Sequence, residues 1–329
     1  MAHGGNAPGS LNAHAPRRSR LAAGWRRGSR VTVAVGALAI CAATATLAQP
    51  AAKPVWAPTS PTLKKIDASG VVRVGYRENS PPFAFLDAKR KPIGYSLDLC
   101  ETVVDAIAAE LGRDIRVDFQ PVTPENRFDL VTSGTIDLEC GSTTNNAERR
   151  KTVAFSPTMF VTGTKLLVKR GSGIRSLADL DGKTVVLTRG TVQEATIPNL
   201  AQRRNLKINF VFAGDHQESL QMLAAGKADA FANDDVQLYG MLAVTSSGAD
   251  FRVVGDFLTY ADYALVLRKD DPDFAEVVDR AFRKLARSRE IVAIYDRWFI
   301  KPMPTGGRLN LAMSPHLEEL FQVQGLPAD

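Results

Sequence analysis

Two successive rounds of short β-branched strands and amphipathic helices constrain the fold of this 329-residue chain more than any other feature. Strands alternating with helices are typical of parallel sheets whose strands are joined by helical crossovers. We therefore expect an α/β protein with two lobes, each a mostly parallel sheet flanked by helices. The first round predicts strands at 71–76, 115–120 and 136–140, with helices at about 97–111 and near 126–132. The second predicts strands at 184–188, 208–213 and 228–233, with helices at about 192–203 and 217–225.

Two further strand-like stretches, 160–170 and 260–270, bracket the second round. The chain is expected to enter and leave the second lobe along them, so together they would form a two-strand hinge. Residues 271–299 return to a helical spacing of apolar residues and should complete the first lobe. The expected division is lobe 1 at 63–162 and 263–329, and lobe 2 at 163–262.

The N-terminal segment has the pattern of a cleaved signal peptide. Six arginines and no acidic residue precede an apolar run at 31–47, and small residues follow up to Ala48. We predict a signal peptide at 1–48 and a Pro- and Ala-rich linker at 49–62, which places the mature protein in the periplasm. A membrane anchor is one alternative, because the run nearly reaches bilayer length. A lipoprotein signal at Cys41 is another, but Ile40 stands where a small residue is normally required.

Charge and composition exclude several classes of function. The leader contains six of the 41 Lys and Arg residues and none of the 35 Asp and Glu residues, so the mature chain has 35 of each sign. Without a basic surplus, a nucleic-acid partner is not expected. His216, His316, Cys100 and Cys140 are the only His and Cys residues after Ala48, too scattered for a metal site. We expect no metal and no cofactor.

The two cysteines of the mature chain leave two alternatives open. Cys100 and Cys140 could form one disulfide in an oxidising compartment, or they could be two buried free thiols. The sequence does not give the separation of their Cα atoms, on which a disulfide depends.

Three arginines lie where strand or helix ends would face a cleft. Arg77 directly follows the first strand, Arg127 begins the second crossover helix, and Arg149 ends the loop after the strand at 136–140. In open α/β sheets, ligands bind beyond the carboxyl ends of the strands. The planar guanidinium of arginine suits carboxylates, because it donates two parallel bonds and stays charged when partly buried.

Polar residues surround these arginines. Ser142 and Thr144 belong to the segment ECGSTTNNAERR at 139–150, which has more hydroxyl and amide groups than a helix cap needs. Thr188 and Thr191 flank a turn from a strand into a helix, where free N–H groups favour an anion. Asp234 could accept an ammonium group or cap a helix. His216 could donate to a carboxylate or be structural.

These motifs resemble those of the periplasmic glutamate/aspartate-binding proteins of ABC transporters, in the polar amino acid family 3 with the type II periplasmic binding fold. The resemblance extends from about Leu63 to the C-terminus. The motifs that carry it are VGYRENSPPFAF, VTPENR, DLECGSTTNNAERRK, VLTRGT, DHQES, NDD and YALVLRKDDP.

The resemblance implies a role for each candidate residue. Arg149 would pair with the ligand α-carboxylate, helped by Ser142, Thr144 and Thr191, and Asp234 would take the α-amino group. The side-chain carboxylate would be held by Arg77, Arg127 and His216, with Thr188 lining the cleft. The ligand would be L-glutamate or L-aspartate, the partner a membrane ABC permease complex, and the receptor a monomer that is not an enzyme.

Two positions depart from the family pattern. Pro124 stands where relatives have a serine three residues before the second arginine, and Arg189 stands where a serine is usual. The first change removes a hydroxyl donor and the second adds a charge, so the preference among glutamate, aspartate and other dicarboxylates stays open.

Two other functions are compatible with the same fold. A dehydratase-like enzyme acting on prephenate-like acids would need a general acid or base, for which Glu78, Glu125 and His216 are the candidates. A ligand sensor would use the same lobes to report the ligand to a signalling partner.

Overall fold

A computed structural model describes residues 59–246 and 248–328 of the chain. The predicted signal peptide at 1–48, the alternative lipid site at Cys41 and most of the predicted linker at 49–62 lie outside these residues. Within the described ranges, none of the helices combines the length and the apolar character that crossing a bilayer requires.

Helices and strands alternate through most of the described chain. The helices are α1 Pro61–Ser69, α2 Tyr95–Leu111, α3 Arg127–Thr132, α4 Gln193–Arg203, α5 His216–Ala224, α6 Asp235–Val244, α7 Pro272–Arg287, α8 Glu290–Tyr295 and α9 Pro315–Gln324. The strands are β1 Val71–Tyr76, β2 Asn79–Ser80, β3 Ala84–Leu86, β4 Pro92–Ile93, β5 Arg116–Pro121, β6 Leu138–Glu139, β7 Val153–Phe155, β8 Phe160–Lys169, β9 Thr184–Thr188, β10 Asn209–Ala213, β11 Ala230–Asp234, β12 Phe251–Val254, β13 Tyr260–Tyr263 and β14 Val266–Arg268.

A five-stranded sheet and a six-stranded sheet share the same arrangement of five strands, and β13 is the sixth strand of the second. The first has the order β5-β1-β6-β14-β7 and the second the order β10-β9-β11-β8-β12. In each, three adjacent strands run parallel, the fourth runs antiparallel to its neighbours, and the fifth returns to the direction of the first three. Both sheets are therefore mostly parallel, and the predicted α/β fold with two lobes is confirmed.

The two crossing segments pair with each other. β13 runs antiparallel to the start of β8, with Tyr263 opposite Phe160 and Tyr260 opposite Gly163. β8 then continues into the second sheet, and the residues after β13 continue into β14 of the first. This geometry agrees with the predicted two-strand hinge.

The predicted strands and helices of both rounds are present, with ends that shift by a few residues. The apolar stripe of α7 is buried from Phe274 to Leu285, as its helical spacing predicted. Three helices were not predicted, and one of them is α6, which follows Asp234. α1 begins at Pro61 with Ser60 as its cap, and α9 buries Leu317 and Phe321 against the main core.

The main core belongs to the first sheet and contains a group of packed aromatic rings. Phe160 stacks on Phe299 with ring centroids 4.8 Å apart, and Tyr295 stacks on Phe299 at 4.5 Å. Phe83 and Tyr95 contact the same rings edge-on. Because Phe160 begins β8, this group anchors the hinge strand to the first lobe.

Cys100 and Cys140 form a disulfide with their Cα atoms 6.3 Å apart. The bond joins α2 to the residue after β6, and both sulfurs lie in the main core. Of the two alternatives that the sequence left open, the structure contains the disulfide.

Candidate functional site

A polar cleft lies at the carboxyl ends of the parallel strands of both sheets. Arg77 follows β1, Arg149 follows the loop after β6, His216 follows β10, and Asp234 ends β11. A small cavity that is partly open to solvent lies between them. Its lining residues are Arg77, Arg127, Ser142, Thr144, Arg149, Thr191, Val192, Gln193, His216, Asn233, Asp234, Gln237 and Tyr263. Eight of the nine predicted site residues are among them, and Thr188 is the exception.

The guanidinium of Arg77 is available to a ligand in the cleft. Arg77 is only 4% exposed. Within residues 59–246 and 248–328 no hydrogen-bond partner is found for its side chain, although it borders the cavity. Burial, and next the positive charge of Arg127, lower the pKa of Arg77 to about 9. A guanidinium held in this way has its donors available for a carboxylate.

Arg127 and Arg149 are positioned by the same ring and the same carbonyl group. Their guanidinium carbons lie 4.6 and 5.0 Å from the ring centre of Phe128. Nη2 of each donates to the carbonyl oxygen of Gly190, over 3.1 Å from Arg127 and 3.2 Å from Arg149. The Nη1 atoms donate to the carbonyl oxygens of Pro124 and Thr144, respectively. The two side chains are thus held by carbonyl groups from both sides of the cleft.

Burial also shifts the ionisation of these two arginines. It lowers the pKa of Arg127, and burial together with Arg127 lowers the pKa of Arg149 to about 9. Arg149 stays charged at neutral pH, because a pKa near 9 is still two units above it, and the guanidinium of Arg127 keeps its charge when buried. The cleft therefore concentrates three positive charges away from solvent, where an anion is bound most strongly.

Asp234 provides a negative charge at the opposite side of the cleft. Its Oδ1 accepts from Thr164 Oγ1 at 3.0 Å and from Gln193 Nε2 at 2.8 Å, and its Oδ2 accepts from the hydroxyl of Tyr263. Burial raises the pKa of Asp234 to about 6. Asp234 is the N-cap of α6, but its side chain makes no capping bond. The carboxylate faces the cleft, and the alternative capping role is wrong.

His216 is buried beside the arginines and is supported by Thr188. Nδ1 of His216 lies 3.0 Å from Oγ1 of Thr188, which also contacts Ser219 Oγ at 2.8 Å. Burial, then the charges of Arg77 and Arg127, hold the pKa of His216 well below its ordinary value. The imidazole is therefore neutral at pH 7. Thr188 is not among the residues that line the cavity, and its hydroxyl contacts His216 and Ser219.

The predicted hydroxyl residues lie on both sides of the cleft. Ser142 accepts a hydrogen bond from Gln237 Nε2, and Thr144 forms an isolated β-bridge with Tyr263. Thr191 donates from Oγ1 to the carbonyl oxygen of Thr188 at 2.6 Å. Each of these residues has a polar atom at or near the cavity, consistent with the sequence expectation for this loop and turn.

The sequence analysis missed five lining residues: Val192, Gln193, Asn233, Gln237 and Tyr263. Gln193 and Gln237 lie in first helical turns, after strands that end at the cleft. That position after a strand is a signal that could have identified them. Tyr263 belongs to the hinge strand β13, and only the pairing of β13 with β8 brings it to Asp234.

The structure also locates the two residues that depart from the family pattern. Arg189 is exposed and lies over the ring of Phe212, with its guanidinium carbon 5.1 Å from the ring centre. It does not line the cavity. Pro124 uses its carbonyl oxygen to accept from Arg127 at 2.7 Å, so it supports a cleft arginine through its backbone.

Close backbone contacts join the two lobes around the cleft. A Cβ added at Gly190 would lie 2.5 Å from the carbonyl oxygen of Pro124, and one added at Gly240 would lie 2.1 Å from that of Pro81. Side chains also meet there, as Asn79 Nδ2 donates to Asp215 Oδ2 at 3.1 Å. The structure is thus a closed arrangement of the lobes.

Comparison with protein families gives one match over most of the chain. Residues 72–301 match the family described as bacterial extracellular solute-binding proteins, family 3. This range includes every residue of the cleft.

Curated relatives are similar over nearly the same range. A glutamate/aspartate import solute-binding protein of Escherichia coli (strain K12) is 39% identical over 263 residues, which are 79% of this chain and 87% of the relative. An L-glutamate/L-aspartate-binding protein of Pseudomonas aeruginosa is 42% identical over the same shares of the two chains.

Among solved structures, an ancestral arginine-binding protein bound to glutamine has a TM-score of 0.63. It is 28% identical in sequence and covers 70% of this chain and 99% of its own. The likeness supports the two-lobed fold.

Proposed function

Because this chain belongs to the bacterial extracellular solute-binding proteins of family 3, we propose that it captures L-glutamate or L-aspartate between its lobes and delivers it to a membrane ABC permease. The observation that carries the proposal is the cleft, in which Arg77, Arg127 and Arg149 lie opposite Asp234. Two carboxylates and one ammonium group are the complement of that arrangement. The names of the relatives from Escherichia coli and Pseudomonas aeruginosa support the same ligand class.

The proposed ligand pose follows from the position of each charge. Arg149 pairs with the α-carboxylate, helped by Ser142, Thr144 and Thr191. Asp234 accepts from the α-ammonium group. Arg77, Arg127 and His216 hold the side-chain carboxylate, and Thr188 keeps His216 in place. Arg77 contributes most to the recognition of the second carboxylate, because its donors have no competing partner among the described residues.

Transport rests on motion of the lobes about β8 and β13. Hinge closure buries a ligand between two domains and creates a surface that exists only in the closed form. We propose that the permease recognises this surface, with lobe 1 formed by 63–162 and 263–329 and lobe 2 by 163–262. Export to the periplasm by the leader at 1–48, and action as a monomer, belong to the same proposal. The description of the family as extracellular supports export.

We also propose that the chain performs no reaction on its ligand. The names of the relatives describe import and binding. Arginines held by hydrogen bonds in the cleft are suited to binding a ligand without changing it. Incubation with prephenate, followed by product analysis, tests this part of the proposal. Formation of a dehydrated product would contradict it.

Isothermal titration calorimetry with L-glutamate and L-aspartate tests the ligand. We expect a micromolar dissociation constant, equal to about −8 kcal/mol of binding free energy. L-Glutamine and L-arginine are the controls, and both should bind more weakly because they lack the second carboxylate. Absence of heat for both acidic amino acids at millimolar concentration would refute the assignment.

A further inference from the structure

One buried carboxylate beneath the cleft has no role in the pose described above. Glu139 is completely buried at the end of β6, the central strand of the first sheet. Its Oε2 accepts from Thr143 Oγ1 at 2.8 Å. Its Oε1 is buried and has no hydrogen-bond partner in the described part of the chain. Burying a carboxylate in this way is costly, so it needs compensation from nearby charge.

The position of Glu139 is strictly determined by its surroundings. The residue pairs with Gly75 of β1 on one side and with Val266 of β14 on the other. Gly141 provides the space for its side chain. A Cβ added at Gly141 would lie 2.2 Å from Oε1 of Glu139 and 2.9 Å from Arg77 Cγ. The carboxylate is therefore held directly beside the base of the Arg77 side chain.

All three cleft arginines act electrostatically on Glu139. Burial is the largest influence on the carboxyl of Glu139 and raises its pKa, although the charges of Arg127, Arg77 and Arg149 and the hydrogen bond from Thr143 act to lower it. None of the arginines makes a direct ion pair with it in the described residues. Glu139 thus balances the charge of the group without using the donors that a ligand needs.

The net charge of the cleft follows from the charged groups described above. With the three arginines positive, Asp234 and Glu139 ionised and His216 neutral, these six groups carry one net positive charge. Asp215 and Asp235 are half-buried and do not line the cavity, but the charge of Asp215 acts on Arg77 and that of Asp235 acts on Asp234. An amino dicarboxylate carries one net negative charge and neutralises the charge of the six groups. A dicarboxylate that lacks the amine carries two.

We propose that Glu139 is a specificity-determining residue, which lowers the charge of the arginine group so that the cleft selects an amino dicarboxylate over a dicarboxylate without the amine. The inference rests on the proposed function. Asp234 cannot provide this selectivity alone, because its charge acts on the ligand ammonium group. The charge of Glu139, beneath the arginines, acts on the whole ligand.

A series of three ligands with the same carbon skeleton separates net charge from local contacts. L-Glutamine, L-glutamate and glutarate carry net charges of zero, minus one and minus two at neutral pH. We expect Glu139→Gln to strengthen glutarate binding relative to L-glutamate by at least about tenfold, and to weaken L-glutamine relative to L-glutamate. Glu148→Gln is the matched control, because Glu148 is exposed and pairs with Lys151 at the surface. It should leave both ratios unchanged.

The outcomes of the calorimetric titrations are distinct. A shift of the two ratios in opposite directions along the charge series supports the proposal. Equal weakening of all three ligands by Glu139→Gln would show a structural role only and would overturn it. Failure of the proposed function has another signature, since the wild-type protein would then not bind L-glutamate at all.

A second measurement covers the case in which Glu139→Gln does not fold. Carbon-13 NMR of wild-type protein labelled at the glutamate side-chain carboxyls reports the ionisation of Glu139, and Thr143→Val identifies its signal by removing its one hydrogen-bond donor. We expect an ionised carboxylate at neutral pH, both free and with L-glutamate. A protonated carboxyl would remove the negative charge that the proposal requires and overturn it.

Discussion

The guanidinium of Arg149 donates to the carbonyl oxygen of Gly190 over 3.2 Å. Arg149 follows the loop after the central strand of the first sheet, and Gly190 lies in the turn after β9 of the second. Arg127 donates to the same oxygen. The side chains that we assign to the ligand carboxylates therefore also connect the two lobes, so ligand capture and lobe closure depend on the same donors.

Arg149→Ala should reduce the affinity for L-glutamate by at least about a hundredfold, or about 3 kcal/mol, because removal of one partner of a buried charge pair leaves the other unpaired. The variant should keep a cooperative melting transition, since Arg149 packs on the cleft and not in the core. Arg150→Ala is the matched control, because Arg150 is exposed and its side chain donates a hydrogen bond to Asn145, which does not line the cavity.

Thermal melting provides an independent check of Arg149. Added L-glutamate should raise the melting temperature of the wild type and of Arg150→Ala by mass action, and should not raise that of Arg149→Ala. Loss of the cooperative transition in Arg149→Ala would contradict the assignment to the ligand.

The affinity for L-glutamate should fall as the pH decreases through about 6. Burial raises the pKa of Asp234 to about 6, and below that value the neutral carboxyl no longer attracts the ligand ammonium group. His216 is not the cause, because its pKa lies well below its ordinary value and the ring stays neutral. Calorimetry between pH 5 and pH 8 measures the effect.

Asp234→Asn provides the control for this pH dependence. The variant should bind L-glutamate more weakly at neutral pH, and its affinity should no longer change near pH 6. An affinity of the wild type that increases on acidification would refute the role of Asp234 as the ammonium acceptor.

Gly240→Ala should weaken ligand binding without lowering the stability of the free protein. The new Cβ would lie 2.1 Å from the carbonyl oxygen of Pro81, a contact that only separation of the lobes relieves. Within α6, alanine is favoured over glycine by about 1 kcal/mol, so the melting temperature without ligand should stay equal or rise. We expect a loss of at least about tenfold in affinity.

Small-angle X-ray scattering tests the mechanism of this loss. The decrease in radius of gyration that L-glutamate causes in the wild type should be absent or reduced in Gly240→Ala. Gly214→Ala is the matched control, because its added Cβ would meet only Oε2 of Glu218, at 3.4 Å. Full ligand-induced compaction of Gly240→Ala would contradict the prediction.

Removal of the Cys100–Cys140 disulfide should destabilise the protein. The two residues are 40 positions apart, and the chain-entropy model gives about 4 kcal/mol for a loop of that length. For a chain of this size the melting temperature should fall by about 8 °C. Differential scanning calorimetry of the wild type with and without reductant measures the change.

The double variant Cys100→Ala/Cys140→Ala controls for other effects of the reductant. Its melting temperature should already be low and should not respond to reductant. A wild type whose melting temperature is the same in oxidised and reduced form would refute the contribution of the disulfide.

Most strands and helices could be predicted from the sequence, because their signals are local. Val71–Tyr76 and Thr184–Thr188 have the β-branched composition of buried parallel strands, and α7 has apolar residues at helical spacing. α9 was missed. It has no comparable stripe, and it is stabilised by contacts of Leu317 and Phe321 with a core formed far away in the sequence.

The candidate site could be predicted in part for a similar reason. Arg77 and Asp234 directly follow or end strands, and the carboxyl ends of parallel strands meet at one edge. Tyr263 and Thr188 show the limit of that reasoning. Tyr263 reaches Asp234 because two distant segments pair at the hinge, and Thr188 contacts the cleft residue His216 rather than lining the cavity itself.

By itself, the sequence determined the two α/β rounds, the order of their elements and the arginines at the strand ends, because each depends on neighbouring residues. Only the tertiary structure decided that Cys100 and Cys140 are bonded, that Arg189 lies on Phe212 outside the cleft, and that Glu139 lies under three arginines. In each case the residues are far apart along the chain, or the direction of a side chain is set by packing. Packing and desolvation depend on which groups are close in space, and the order of residues does not state that.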